Sequence, residues 1–297
     1  MNGIIHVIKP PGMTSNNLTA AVKRILNVKK TGHTGTLDPG ACGVLSVCVG
    51  RATKLADYLL SGRKTYVASV RFGAETDTLD SYGAVTRTGG GRVALAALKG
   101  ACKAFTGEQE QIPPMYSAIK VDGRKMYELA RQGKEIELAP RQITVHRIEI
   151  LEMDESEGTC LLEVECSAGT YIRTLCADIA KHMGCLGYVS FLLRSKACIT
   201  DVSECHTLDE IEAMVATGDG SFLISSDKAL EIYPQYTLED YLFPIVTTGT
   251  PIDLLRMQKG AQVPRDRLLR VYCRGEFIGM GNAQGDVLKI RTMYYIG

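Results

Sequence analysis

A glycine-rich loop that leads directly into an apolar strand constrains the fold of this 297-residue chain more than any other feature. Residues 29–45 read KKTGHTGTLDPGACGVL and contain four glycines. Residues 42–50, CGVLSVCVG, are a continuous apolar run of strand length, which predicts a strand buried on both faces. The loop therefore enters the core, and its glycines permit tight turns and the close approach of another backbone.

Strands and helices elsewhere follow one another without a regular βαβ order, which predicts an α+β fold. Residues 4–9 indicate a short strand, and Thr14 or Ser15 then caps a helix in NNLTAAVKRIL. Residues 64–73, KTYVASVRFG, alternate in hydrophobicity and predict a strand with one buried side. Further predicted elements are a helix in 51–60, a turn-rich segment at 76–92, a helix in 93–105, a loop with a short helix in 111–138, a hairpin within 143–166, and helices in 172–184 and 207–218.

The sequence changes character near residue 240. From there to the end, short strand-like runs are joined by turns that contain glycine, as in RVYCRGEFIGMGNAQGDVLKI. This pattern predicts two domains: a large one over residues 1–235 and a small β domain over residues 240–297.

Charge is unevenly distributed, although the net charge is only +1. Residues 1–72 hold ten Lys and Arg against two Asp and Glu, residues 149–249 hold five against eighteen, and residues 250–297 hold eight against four. Two readings stay open: the basic ends form a footprint for a polyanion while the acidic part aids solubility, or the charges interleave in space.

Location follows from composition. No apolar run reaches the roughly 18 residues that span a bilayer, and the N-terminus lacks the pattern of a signal peptide. The ten cysteines include no C-x-x-C pair and sit mostly in apolar stretches, as reduced buried thiols do. We expect a cytoplasmic protein that does not contact a membrane.

The glycine loop does not match a nucleotide site or a metal site. GTLDPGAC has the glycine spacing of a phosphate-binding loop but lacks the lysine and hydroxyl that must follow. His33 and Asp38 have no third ligand nearby in the sequence. We therefore predict neither a metal ion nor a cofactor.

Three residues could carry chemistry, and each also has an ordinary explanation. Asp38, amid Lys29, Lys30 and other cations, is either a fixed carboxylate or simply part of an Asp-Pro turn, and local chemistry favours the turn. Tyr66, beside a basic run, either stacks on a base or packs in the core. Arg173 needs an acidic partner, as either a catalytic or a structural ion pair.

Six segments of the chain carry a further signal: KPPGMTS (9–15), GHTGTLDPGACGVL (32–45), ATKLADYLL through KTY (52–66), TDTLDSYG (76–83), PPMYSAIKVDGRKMYELAR (113–131) and GTYIRTL (169–175). Taken together, they resemble the bacterial tRNA pseudouridine-55 synthases, the TruB family. They occur in the family's order over residues 9 to about 194, and GHTGTLDP is highly specific. The C-terminal segment resembles a PUA domain more weakly. The resemblance implies a mixed, mainly antiparallel sheet with flanking helices and a small C-terminal β domain.

The resemblance implies a role for each matched residue. It makes Asp38 the essential aspartate, Tyr66 the aromatic that stacks on the target uracil, and Arg173 the partner of the aspartate. Substrate contacts are implied for Lys54 and Leu192 in the pocket, for His33 in base displacement, and for Lys9 and Arg194. One departure is Leu193, where many members of the family carry an arginine.

The implied reaction converts uridine 55 of the tRNA T arm to pseudouridine, after the base has left its helical stack. It needs no metal or cofactor, and we expect a monomer without an obligatory protein partner. The sequence does not decide whether Asp38 attacks the substrate as a nucleophile or removes a ribose proton. Two alternatives remain: a tRNA-binding folding chaperone, and a relative that depends on a guide RNA.

Overall fold

Two β-sheets organise the chain, and the computed structural model describes residues 1–60, 62–114, 116, 120–121, 124–126, 138–257 and 263–296. The described strands are β1 (Gly3–Lys9), β2 (Thr31–His33), β3 (Cys42–Val49), β4 (Lys64–Phe72), β5 (Ala74–Thr76), β6 (Val85–Thr88), β7 (Gly107–Gln111), β8 (Lys120–Val121), β9 (Arg124–Lys125), β10 (Arg141–Asp154), β11 (Thr159–Cys166), β12 (Gly187–Ala197), β13 (Thr200–Asp201), β14 (Gln235–Leu238), β15 (Ile252–Asp253), β16 (Leu268–Cys273), β17 (Glu276–Gln284) and β18 (Val287–Met293).

The larger sheet has the strand order β1-β3-β12-β4-β11-β10-β7, with β2 beside β3 and β13 beside β12. Its pairs are antiparallel except for β3 and β12, which run parallel. The smaller sheet has the order β14-β16-β17-β18-β15. The predicted α+β fold with a mainly antiparallel sheet is therefore confirmed.

Helices cover the larger sheet and complete its core. Leu18 and Val22 of the first helix and Leu98 of the third belong to the same buried apolar cluster as Val47 and Ala68 of the sheet. The described helices are α1 (Ser15–Ile25), α2 (Ala56–Leu60), α3 (Leu95–Ala104), α4 (Ile172–His182), α5 (Leu208–Thr217) and α6 (Phe243–Val246).

Most of the local predictions agree with these elements. Strand β3 is buried on both faces, and β4 alternates with one buried side. The side chain of Thr14 caps α1 by accepting from the backbone N–H of Asn17 at 3.1 Å. The turn-rich segment 76–92 differs, because part of it pairs as a ribbon of β5 and β6. Most of the predicted loop and short helix in 111–138 lies outside the described residues.

Gly43 is required where the two parallel strands meet. Its φ is +105°, and a Cβ placed there would lie 2.2 Å from the carbonyl oxygen of Arg194. Leu193, the residue that departs from the family pattern, packs beside the same glycine. Only glycine therefore allows β3 to approach β12 and bring residues 35–42 against the sheet.

We predict that Gly43→Ala lowers the free energy of unfolding by more than about 2 kcal/mol, because it adds both backbone strain and overpacking. Gly100→Ala is the control, since it lies in α3 with open space around it. That substitution should stabilise the helix by about 0.5–1 kcal/mol. Urea unfolding of both variants would contradict this account if they were equally stable.

Candidate active site

The N-terminal segment KPPGMTS holds the glycine loop through hydrogen bonds to backbone groups of that loop. The Ser15 hydroxyl donates to the carbonyl of Leu37 at 3.1 Å and accepts from its N–H at 2.9 Å. The N–H of Gly12 donates to the carbonyl of Pro39 at 2.8 Å. Asp38 lies between these two anchored residues, so its backbone is fixed on both sides.

Lys9 completes this support from inside the protein. It is fully buried, and its Nζ donates to the carbonyls of Met13 at 2.7 Å, Pro10 at 2.9 Å and Pro39 at 3.2 Å. Burial lowers the pKa of Lys9 to about 8, which leaves the amine protonated at neutral pH. The structure thus places Lys9 behind the loop, where it joins the loop to the segment after β1.

Asp38 faces a buried arginine. Nε of Arg173 lies 2.8 Å from Oδ2 of Asp38, and the contact is an ion pair rather than a directed hydrogen bond. The arginine side chain is 5% exposed and the aspartate side chain 34% exposed. Because Arg173 stands in the first turn of α4, where the helix dipole disfavours a cation, acidic partners are needed there.

The two terminal nitrogens of Arg173 both donate hydrogen bonds. One of them also lies near a second carboxylate, for which the sequence alone predicts no role. Nη1 donates to the carbonyl of Thr78 at 2.6 Å and lies 3.5 Å from Oδ2 of Asp80. Nη2 donates to the carbonyl of Tyr116 at 2.9 Å. Asp80 stands inside TDTLDSYG, so the segment could be recognised, but only the fold shows that it meets Arg173.

A cleft of about 500 Å³, here called the main cleft, opens beside Asp38. Tyr66 on β4 and Leu192 on β12 line it with apolar surface, while Lys64 and Arg194 add cations, and Arg194 is the β12 residue opposite Tyr66. Loop 168–172, just before Arg173, forms another wall. The fold therefore brings Asp38, Tyr66, Leu192 and Arg194 to one cavity.

Burial controls the electrostatics of the main cleft. Burial raises the pKa of Tyr66, and the neighbouring Arg194 opposes this effect in part. Burial lowers the pKa of Lys64, with a further contribution from the charge of Arg194. Arg194 is itself 1% exposed, and its Nε donates to the carbonyl of Val44 at 2.7 Å. The phenol is thus neutral at physiological pH, beside fixed positive charge.

Besides Lys9, two further predicted substrate contacts lie outside the main cleft. His33 is half-buried on β2, and burial lowers its pKa, with a smaller effect from Arg194. Lys54 is exposed, and its Nζ donates to the carbonyl of Met293 on β18 at 3.2 Å. Lys54 therefore links the helical segment before β4 to the smaller sheet instead of lining the pocket.

Over the described ranges, no cluster of three or more His, Cys, Asp or Glu residues is placed to hold a metal ion. In the same part of the chain, no helix has the length and apolar character that crossing a membrane requires.

Comparison with known proteins agrees with this geometry. A family model described as TruB family pseudouridylate synthase (N terminal domain) matches residues 23–172. The chain is 42% identical to the tRNA pseudouridine synthase B of Alkaliphilus oremlandii, over 96% of this chain and 94% of that protein. It is 37% identical to the corresponding protein of Neisseria meningitidis serogroup B, over 99% and 94%.

A solved structure is similar as well. The match is to a chain in the structure of an H/ACA RNP bound to a substrate RNA containing 2'-deoxyuridine, with a TM-score of 0.74 and 25% identity, over 99% of this chain and 85% of that one. The cleft with its paired aspartate is thus that of an RNA pseudouridine synthase. The chain belongs to the TruB family of pseudouridylate synthases.

Gln111 positions the wall of the main cleft, although no pattern in the sequence indicates this role. The side chain is 3% exposed at the end of β7. Its Nε2 donates to the carbonyl of Tyr171 at 3.0 Å, and its Oε1 accepts from the N–H of Tyr171 at 2.8 Å. The amide therefore holds the backbone two residues before Arg173.

We predict that Gln111→Leu lowers the free energy of unfolding by about 1–3 kcal/mol, because two buried backbone groups lose their partner. Gln142→Leu on the neighbouring strand is the control, since its exposed amide reaches only Glu110. That change should stay within about 0.5 kcal/mol. Equal stability of the two variants in urea unfolding would contradict the assigned role.

Proposed function

We propose that this protein converts uridine 55 in the T arm of tRNA to pseudouridine, with Asp38 as the essential residue. The observation that carries the proposal is the Asp38 carboxylate, fixed by buried Arg173 at the main cleft that Tyr66 lines. The name of its relatives, tRNA pseudouridine synthase B, supports tRNA as the substrate.

The reaction breaks the glycosidic bond between N1 of uracil and C1′ of the ribose and joins C5 of the same uracil to that carbon. The proton leaves C5 and one is gained at N1, so there is no redox change. The uridine must leave its stack to enter the main cleft, which costs a few kcal/mol that binding offsets. Tyr66 presents an apolar ring for the extruded uracil to stack on.

Asp38 has two roles compatible with this geometry. Its carboxylate attacks the substrate as a nucleophile, or it removes a proton from the ribose. In both, the ion pair with Arg173 fixes and orients the carboxylate. The 34% exposure of the Asp38 side chain leaves it open to a substrate.

RNA binding then involves more of the chain than the cleft. The basic N-terminal 72 residues contain the loop that carries Asp38, and their exposed cations, such as Lys23, Arg24, Lys29 and Lys30, are available to RNA phosphates. We propose that residues 1–235 form the catalytic domain and residues 240–297 a PUA-like RNA-binding domain. Strand β14, at the junction of these two ranges, pairs with β16 of the smaller sheet. The protein is proposed to act as a cytoplasmic monomer, without a protein partner.

The test maps pseudouridine in an unmodified tRNA transcript by carbodiimide labelling and primer extension, with EDTA present and no other protein or RNA. We predict a stop at uridine 55 with the unmodified protein and a loss of more than about 1,000-fold in rate for Asp38→Asn. Asp57→Asn is the matched control, because Asp57 is exposed and is the only other acid in the first 72 residues.

Each contrary outcome has a definite meaning. Conversion by Asp38→Asn at the normal rate would contradict the assignment of the essential residue. A gel shift without conversion by any variant would favour an RNA-binding chaperone. Conversion only after a guide RNA or a protein is added would contradict independent action. A transcript with cytidine at position 55 tests the site, since it should remain unmodified throughout.

A further inference from the structure

A second, shallow depression of about 20 Å³ adjoins the main cleft at Asp38. Asp38 and Leu192 line both cavities, and Arg173 lines the shallow one. Its remaining lining comes from the loop after Asp38, from the turn 80–82 and from residues 189–191 of β12. The Asp38 carboxylate therefore borders both the main cleft and a second stretch of surface.

Two aromatic side chains on this depression are exposed without an evident structural need. Tyr82 is 65% exposed and Phe191 is 47% exposed. Phe191 stands next to Leu192, whose side chain is buried and faces both cavities. Exposed aromatic surface beside a catalytic group is more informative than a scattered apolar side chain, because it is continuous with a working site.

The turn that carries Tyr82 is rigid. The N–H of Ser81 donates to the carbonyl of Val189 at 3.0 Å, which fixes the turn to β12. The N–H of Tyr82 donates to Oδ1 of Asp80 at 3.0 Å, and Oδ2 of that carboxylate reaches Arg173. The position of Tyr82 is thus tied to the network that holds Asp38.

The ring of Tyr82 also lies on the glycine loop. A Cβ built on Gly40 would be 2.2 Å from Cε2 of Tyr82, so the ring occupies the space that any other residue at position 40 would need. One part of the ring is therefore held against the loop two residues after Asp38. The larger part remains open to solvent, which is the arrangement of a stacking platform.

The charges around this depression favour a neutral group over a phosphate. Asp38 and Asp80 both border it, and the cation that lines it, Arg173, already meets both carboxylates and two carbonyls. A phosphate there would be repelled by the two carboxylates, and the arginine is already engaged with other partners. A nucleobase is uncharged and has an apolar face for an aromatic ring.

We propose that Tyr82, on the depression that Phe191 also lines, stacks on the base of a nucleotide next to the target uridine. This inference rests on the proposed function, in which an extruded uridine occupies the main cleft. Extrusion deprives the neighbouring base of a stacking partner, and the ring of Tyr82 replaces that partner close to Asp38. The platform would then help to hold the opened RNA while the target reacts.

The first test compares Tyr82→Phe, Tyr82→Leu and Tyr82→Ala in steady-state turnover of the tRNA transcript. Tyr82→Phe should keep the normal KM, because the ring is retained. Tyr82→Leu and Tyr82→Ala should raise KM by roughly 5- to 50-fold, the size expected for one base–aromatic stack. Leu151→Ala is the control, since Leu151 has the same 47% exposure as Phe191 but lies on β10, outside both cavities.

The second test asks which base the ring contacts. T-arm substrates lacking the base at the position before or after uridine 55 are assayed with the unmodified protein and with Tyr82→Leu. At one of the two positions, base removal should raise KM for the unmodified protein and have no further effect on the variant. Thermal melting checks that every variant is folded.

Three results would overturn the proposal. In one, Tyr82→Leu leaves KM unchanged. In another, it lowers kcat alone, which would mean that the ring only supports the glycine loop. In the third, base removal at either position raises KM by the same factor for Tyr82→Leu as for the unmodified protein, so the ring and the base act independently. Failure of the unmodified protein to convert any transcript would instead overturn the proposed function, so the two failures are distinguishable.

Discussion

The ion pair between Arg173 and Asp38 is the interaction on which the rest of the site depends. A guanidinium that is 5% exposed is tolerable only when its donors and its charge are matched, and removing one partner of a buried pair typically costs about 3–5 kcal/mol. Arg173 meets two carboxylates and two carbonyls from three separate segments, the last at Tyr116. The segments that fold around the arginine therefore also form the site, because they place Asp38 at the main cleft.

The glycines of the loop permit many backbone conformations, but hydrogen bonds hold the loop in one of them in the structure. Lys9 and Ser15 hold its backbone from within, and Gly43 lets it enter β3 against β12. The glycines thus let the backbone adopt conformations that other residues disfavour, and hydrogen bonds from residues 9–15 then fix the backbone of the loop. This is why a loop with so many glycines can hold the Asp38 carboxylate in one place beside the main cleft.

Local patterns predicted much of the fold, and they failed where long-range contacts decide. Burial of β3 and the alternation of β4 follow from periodicity, and the cap at Thr14 follows from residue type. Local chemistry favoured a turn for Asp38, and the structure contains that turn, since the N–H of Ala41 donates to its carbonyl at 3.1 Å. The turn and the ion pair coexist, so the two readings were not exclusive. The contact of Lys54 with the smaller sheet joins residues 239 positions apart, and no local signal encodes it.

The most direct test of this account is a crystal structure of the Asp38→Asn protein bound to an unmodified T-arm stem-loop RNA. We predict that uridine 55 is extruded into the main cleft, with its ring against Tyr66 and its ribose facing the side chain at position 38. The Asp38→Asn change should leave the nucleotide unconverted, so that the substrate is seen directly. A uridine that stays stacked in the RNA, or that lies away from this cleft, would contradict the account.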